Sequence, residues 1–126
     1  GFVGVNTCHN IALKDIADEI ILVDINETVH GKVIDLMQSK FIYNFKTNIY
    51  GISNDNYEKT NNSDIIVITC GIARKPGMTR EELFSTNYSI VKGVINKLLI
   101  NSPNSIFIIV SNPMDKILQM LAPHLG

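Results

Sequence analysis

Three short apolar runs constrain the fold of this chain most: EIILVD (Glu19 to Asp24), DIIVIT (Asp64 to Thr69) and SIFIIVS (Ser105 to Ser111). Each is rich in β-branched residues, lacks strict polar/apolar alternation and ends in polar or glycine residues. That is the pattern of strands covered on both faces, and hence of a parallel sheet between helices. The intervening stretches suit helices. Val3 to Leu13 reads as one, and Thr28 to Ser39 as a second, with Val33, Leu36 and Met37 at helical spacing. The longest runs from Arg80 to about Asn101, where Ile90, Val91, Val94, Ile95, Leu98 and Leu99 form an apolar stripe. Thr79 followed by Glu82 reads as a capping box with acids at the positive helix end, and Ser102-Pro103-Asn104 stops the helix. A last helix begins near Met114 and is limited by Pro123. TNIYGI (Thr47 to Ile52) is an edge or short central strand, and NDNYEKTNNSD (54–64) a polar connection.

Strands alternating with helices through right-handed crossovers give an α/β fold with an open, doubly wound parallel sheet. Ligands of such sheets bind at the carboxyl ends of the strands. This places Asp24, the Gly71–Arg80 loop and Ser111-Asn112 along one edge. The 126 residues suit one domain with a single core. A net charge of −1 favours neither nucleic acid nor a membrane surface as a partner, and no apolar run reaches the ~18 residues of a membrane span. Cys8 and Cys70 lie far apart without metal-type spacing, so they read as buried thiols of a reducing compartment, and no metal site is expected.

Several residues could carry chemistry. GFVG (Gly1 to Gly4) is part of the dinucleotide fingerprint G-x-G-x-x-G, whose helix N-terminus faces a pyrophosphate. G-x-x-G alone is weak, but Asp24 ends the next strand, where an acid accepts ribose hydroxyls and repels a 2′-phosphate. Glycine turn, helix, strand and acid together point to NAD rather than NADP. Asp24 by itself is also a solvated strand end. In GIARKPGMTR (Gly71 to Arg80), Arg74 and Arg80 flank a Pro76-Gly77 turn. A guanidinium fork grips a carboxylate bidentately, and the turn lets the segment swing as a lid; both arginines also fit solvated surface positions. Asn112, before Pro113, is a ligand donor or a helix cap, and the Asn112-Pro113 bond is a candidate cis peptide. Asn87 reads on its own as an exposed helix polar residue. His9, His30 and His124 are scattered, with none paired with an acid, and no acid/base pair is found. His124 reads as a surface residue.

GFVG, ILVDINETVHGKVIDLMQS, DIIVITCGIARKPGMTREELFSTN and SPNSIFIIVSNPMD together resemble the lactate/malate dehydrogenase family, and within it the malate dehydrogenases of lactate-dehydrogenase type. The resemblance runs end to end, with RKPGMTR and SNPMD its most specific segments. It implies a Rossmann-type NAD-binding domain over residues 1–126, lacking its first strand and the first glycine of the fingerprint. NAD contacts would come from Gly1, Phe2, Val3, Gly4, Asp24, Gly71, Asn87, Val110, Ser111 and Asn112. Arg74 would bind the far carboxylate of malate or oxaloacetate, where a Gln suits lactate. Arg80 would polarise the reacting carbonyl as the catalytic residue of this chain. Asn112 would bind substrate too, with a cis Asn112-Pro113 bond. Cys70 stands where the family has a small residue such as Ala. The proton-relay His, its Asp partner and a third substrate Arg would lie beyond Gly126 with the substrate domain, so the chain alone is expected to be inactive. The implied function is reversible NAD-dependent hydride transfer between malate and oxaloacetate, in a cytoplasmic homo-oligomer, dimer or tetramer, assembled through helices such as the one at His30 to Ser39. A nucleotide-binding fragment without catalysis and a lactate dehydrogenase are the alternatives.

Overall fold

The computed structural model describes residues 1–53 and 56–125, except for the side chains of 124 and 125. Their order is α1 (Phe2–Leu13), β1 (Glu19–Asp24), α2 (Val29–Tyr43), β2 (Asn48–Ser53), a 3₁₀ turn (Tyr57–Thr60), β3 (Ile65–Ile68), α3 (Arg80–Asn101), β4 (Ile106–Ile109) and α4 (Met114–Leu125). Contacts divide the chain into two compact units, Gly1–Thr60 and Asn61–Gly126.

In the first unit β1 and β2 pair in parallel, in register from Glu19 opposite Asn48 to Asp24 opposite Ser53. TNIYGI is therefore a paired strand. Cys8 and Ala12 of α1, Leu22 of β1, Val29, Val33 and Leu36 of α2, Phe45 and Ile49 form one core. Helix α2 lies so close to β2 that a Cβ on Gly51 would stand 2.9 Å from Val33 Cγ2. It also runs past Ser39 to Tyr43. The apolar stripe stops earlier, and the helix ends only where Asn44 adopts φ 58° and donates its N–H to the Lys40 carbonyl, a left-handed cap. The carboxylate of Asp15, just past α1, accepts the N–H groups of Lys46 (2.9 Å) and Thr47 (3.2 Å) and pins the start of β2. Of the expected polar connection, residues 54 and 55 lie outside the described residues. The rest contains the 3₁₀ turn, with Tyr57 and Thr60 buried.

In the second unit β3 and β4 pair in parallel, from Ile65 opposite Ile106 to Ile68 opposite Ile109. Helix α3 has the expected bounds. Thr79 Oγ1 accepts the Glu82 N–H at 3.1 Å, and Glu82 Oε2 accepts the Thr79 N–H at 3.2 Å, which completes the capping box. Val91, Ile95 and Leu98 bury the helix stripe. Burial on both strand faces is not what this sheet shows. Ile66, Ile68 and Ile109 are buried, while Ile65, Ile106 and Ile108 are 57%, 65% and 48% exposed. One face has no covering element among the described residues, so an unbroken apolar sequence yields an alternating burial pattern. Helix α4 continues past Pro123 to Leu125, so the proline does not end it. The expectation that His124 is a surface residue falls outside the described side chains.

Candidate functional site

In the first unit the predicted nucleotide residues meet at the start of α1. Gly1 is the N-cap, with no side-chain cap and no acid in the first turn. The first helical bond runs from the Val5 N–H to the Gly1 carbonyl, so the N–H groups of Phe2, Val3 and Gly4 have no acceptor within the helix. Such an end favours an anion. The side chains of Phe2 and Val3 are exposed, so their contribution to an anion would be the backbone. Asp24 stands beside this end: the Gly1 amino group donates to its Oδ2 at 2.7 Å, and the Asn26 N–H to its Oδ1 at 3.1 Å. Burial raises the Asp24 carboxyl, but the hydrogen bonds from Gly1 and Asn26 outweigh it and leave the pKa below its ordinary value. Asp24 is therefore ionised at neutral pH. Open helix N–H groups, a turn free of side-chain bulk at Gly1 and an ionised acid fit the pyrophosphate and ribose of NAD.

His30 is a correction to the sequence reading, which paired no histidine with an acid. Its Nε2 lies 3.4 Å from Glu27 Oε2 and 3.0 Å from Ser53 Oγ, which donates to Glu27 Oε1 at 2.9 Å. Glu27 and His30 are three residues apart at the start of α2, a spacing that puts side chains on one face. Ser53 joins them because it lies opposite Asp24 across the β1–β2 pair. The ring and carboxylate are half or more exposed, which makes this a surface pair.

In the second unit the parallel pairing of β3 and β4 sets their carboxyl ends side by side. In the loop after β3, Gly71 has a φ of 138°, which suits glycine. Farther on, the Met78 N–H bonds the Lys75 carbonyl at 3.0 Å and Gly77 has φ 81°, so the expected Pro76-Gly77 turn is formed. Arg74 Nε donates to the Met78 carbonyl at 3.2 Å, tying the arginine across the turn it precedes. Arg80 is the first residue of α3, on backbone held by the capping box. Both guanidinium groups are on exposed residues.

Asn87 is not an exposed helix polar residue: it is 1% exposed. Its Oδ1 accepts the Ile72 N–H (2.8 Å), and its Nδ2 donates to the carbonyls of Ile72 (3.1 Å) and Asn112 (2.6 Å). Position 87 lies four before Val91 and eight before Ile95, on the buried stripe; that spacing is the signal that reveals it. Ser111 is buried and its hydroxyl donates to the Cys70 carbonyl. Burial pushes the Cys70 thiol above its ordinary pKa. Val110 and Asn112 are exposed, and the Asn112-Pro113 peptide is cis. Among the described residues no cluster of His, Cys, Asp or Glu could hold a metal ion.

A family profile described as the lactate/malate dehydrogenase NAD binding domain matches residues 1–125. The chain belongs to that family. Its fold is the family's Rossmann-type α/β fold with parallel strands, and NAD is the cofactor of such a domain. Among lactate/malate dehydrogenases, the malate dehydrogenase of Parabacteroides distasonis is 46% identical over 127 residues, covering 100% of this chain and 40% of that protein. The chain thus spans 40% of the length of that relative. A malate dehydrogenase from Archaeoglobus fulgidus, solved in complex with NADH, matches with a TM-score of 0.86 at 35% identity over 95% of this chain and 40% of its own. A lactate dehydrogenase from Cryptosporidium parvum, solved with lactic acid and the dinucleotide, matches with a TM-score of 0.87 at 27% identity over 100% of this chain and 39% of its own. Backbone similarity therefore spans both enzymes of the family, and the choice between them falls to side chains.

Proposed function

We propose that this chain is the cofactor-binding and substrate-gripping portion of an NAD-dependent malate dehydrogenase, which interconverts malate and oxaloacetate. Arg74 carries the reading. It is a cation on the loop beyond β3, with Nε held by the Met78 carbonyl and its terminal nitrogens left for a carboxylate. The 46% identity to a malate dehydrogenase over the whole chain supports it.

When bound, NAD supplies the hydride acceptor or donor. The N–H groups of Phe2, Val3 and Gly4 hold the pyrophosphate, and Asp24 holds the ribose. Gly71, Val110 and Ser111 would be the cofactor contacts of the second unit. Arg74 pairs with the far carboxylate, and a site built on that charge discriminates against a monocarboxylate, which leaves the guanidinium unpaired. Arg80 stabilises the negative charge that builds on the substrate C2 oxygen, a role worth ~10²–10³ in rate. Asn112 donates to the substrate. The reading includes a cytoplasmic homo-oligomer assembled through α2; the free thiols of Cys8 and Cys70 agree with the compartment. No helix among the described residues is long and apolar enough to cross a membrane.

In the full-length protein, Arg74→Gln should lower the preference for oxaloacetate over pyruvate by about 10² or more in kcat/KM. Arg80→Lys should cut kcat about 10²-fold while NADH affinity holds. Unchanged selectivity in the first variant, or lost NADH binding with kcat preserved in the second, would refute the assigned roles.

A further inference from the structure

We infer that Asn87 is a positioning residue: its amide locks the loop after β3 to the loop after β4 and so sets where Arg74 and Asn112 stand relative to each other. The inference rests on the malate dehydrogenase reading and reassigns Asn87 from cofactor contact to control of substrate geometry. Both amide N–H groups are committed to backbone carbonyls, Ile72 on one loop and Asn112 on the other. Both donors of the side chain are thus used within the protein, and Oδ1 receives the Ile72 N–H with one of its two lone pairs.

The site is shaped to this amide. Gly71 lies close against it, and a Cβ there would be 3.0 Å from Asn87 Oδ1 and 3.2 Å from Cγ. Asn87 occupies a place on the buried stripe of α3 where an apolar residue would otherwise serve packing. Removing it would take the partner from the Ile72 and Asn112 carbonyls and from the Ile72 N–H. Ser111, bonded to the Cys70 carbonyl, ties the same loops one residue before Asn112 and two before Ile72. What the amide joins is specific. Ile72 precedes Arg74 by two residues, and Asn112 is itself the proposed substrate donor. A shift of one loop against the other by an ångström would separate two groups that must grip one small dicarboxylate, and misplacement on that scale costs ~10² in rate.

The test uses full-length protein with Asn87→Asp, which keeps the acceptor for the Ile72 N–H but turns a carboxylate toward two carbonyls. Asn87→Ala, uncharged, is the second variant. NADH binding is measured by fluorescence without substrate. Binding of hydroxymalonate, a non-reacting dicarboxylate, is measured on the enzyme–NADH complex, and kcat and KM are measured for oxaloacetate. The expected result is NADH affinity within about threefold of wild type, with hydroxymalonate affinity weakened and oxaloacetate KM raised about tenfold or more. Loss of NADH affinity with dicarboxylate binding intact would overturn the inference by making Asn87 a direct cofactor ligand. Lower thermal stability with all constants unchanged, or no folded protein from either variant, would overturn it by making the amide a brace of the fold alone. A wild-type protein that binds NADH but turns over no dicarboxylate would sink the malate dehydrogenase reading and the inference with it. An active wild type with variants altered in the wrong constant would sink the inference alone.

Discussion

Gly71 lies in the loop after β3 at φ 138°, a conformation L side chains rarely adopt, and a Cβ there would stand 3.0 Å from the Asn87 amide oxygen. Gly71→Ala meets two penalties, backbone strain and a methyl group pressed on a hydrogen-bonded amide. It should destabilise the protein by about 1–3 kcal/mol, read as a lower midpoint in urea unfolding. A shift under about 0.5 kcal/mol would mean the loop finds another path. Individual residues differ in how far the sequence exposes them. Asp24 is legible because a strand end twenty residues after Gly4 is a position with one geometry. Asn87 is legible in place but not in role: its spacing from Val91 marks it as buried, yet its acceptors are backbone groups of two loops that pairing of β3 with β4 brings together. The Glu27–Ser53–His30 contact is hidden for the same reason, since Ser53 comes from a strand whose register only the fold sets.

Elements were more legible than residues. The capping box places the start of α3, and β-branched density places β1, β3 and β4. The less legible pieces are those decided by close approach or by a corner. Helix α2 can lie on β2 because Gly51 has no Cβ, and Gly51→Ala would drive a methyl group to 2.9 Å from Val33 Cγ2 and 3.4 Å from the Val29 carbonyl. Val33 is β-branched and stiff, and the carbonyl is backbone, so neither yields easily. A loss of about 1–3 kcal/mol is expected from chemical unfolding; a neutral result would show that α2 slides freely over the strand. At the α1–β1 corner the Asp15 carboxyl is held below its ordinary value of 3.8, chiefly by the Lys46 N–H, with Thr47 adding to it and desolvation opposing it. The folded state thus binds this proton less readily than the unfolded one. The stabilisation is present above pH 3.8 and is lost as pH falls through the depressed folded value. Melting temperature should drop more steeply below pH 3.8 in wild type than in Asp15→Asn, which keeps the Oδ1 acceptor and has no charge to lose. Parallel acid profiles would remove Asp15 from the account.

At the scale of the molecule, the surface of α2 sets a problem that the chain by itself does not solve. Its inner side supplies Val29, Val33 and Leu36 to the core, while Ile34, Phe41 and Ile42 are 57%, 90% and 80% exposed. Ile34 and Phe41 are seven residues apart, so they line one stripe, and Ile42 widens it. Single exposed apolar residues need no explanation, but a contiguous stripe on one helix is a candidate contact surface. A second copy of the same helix is the proposed cover, because a two-fold contact sets each stripe against its equal. In such a contact every substitution counts twice. Burying one Phe is worth about 1.5–3 kcal/mol, so Phe41→Glu removes roughly 3–6 kcal/mol per dimer before the cost of two buried charges, or ~10²–10⁴ in dissociation constant. Light scattering of the full-length protein at micromolar concentration should show the variant at half the wild-type mass or less. Circular dichroism should be unchanged, because Phe41 contributes nothing to the core of its own unit. A variant with wild-type mass would place the oligomer contact elsewhere, and one that loses its circular dichroism signal would show that Phe41 supports the fold as well as the interface.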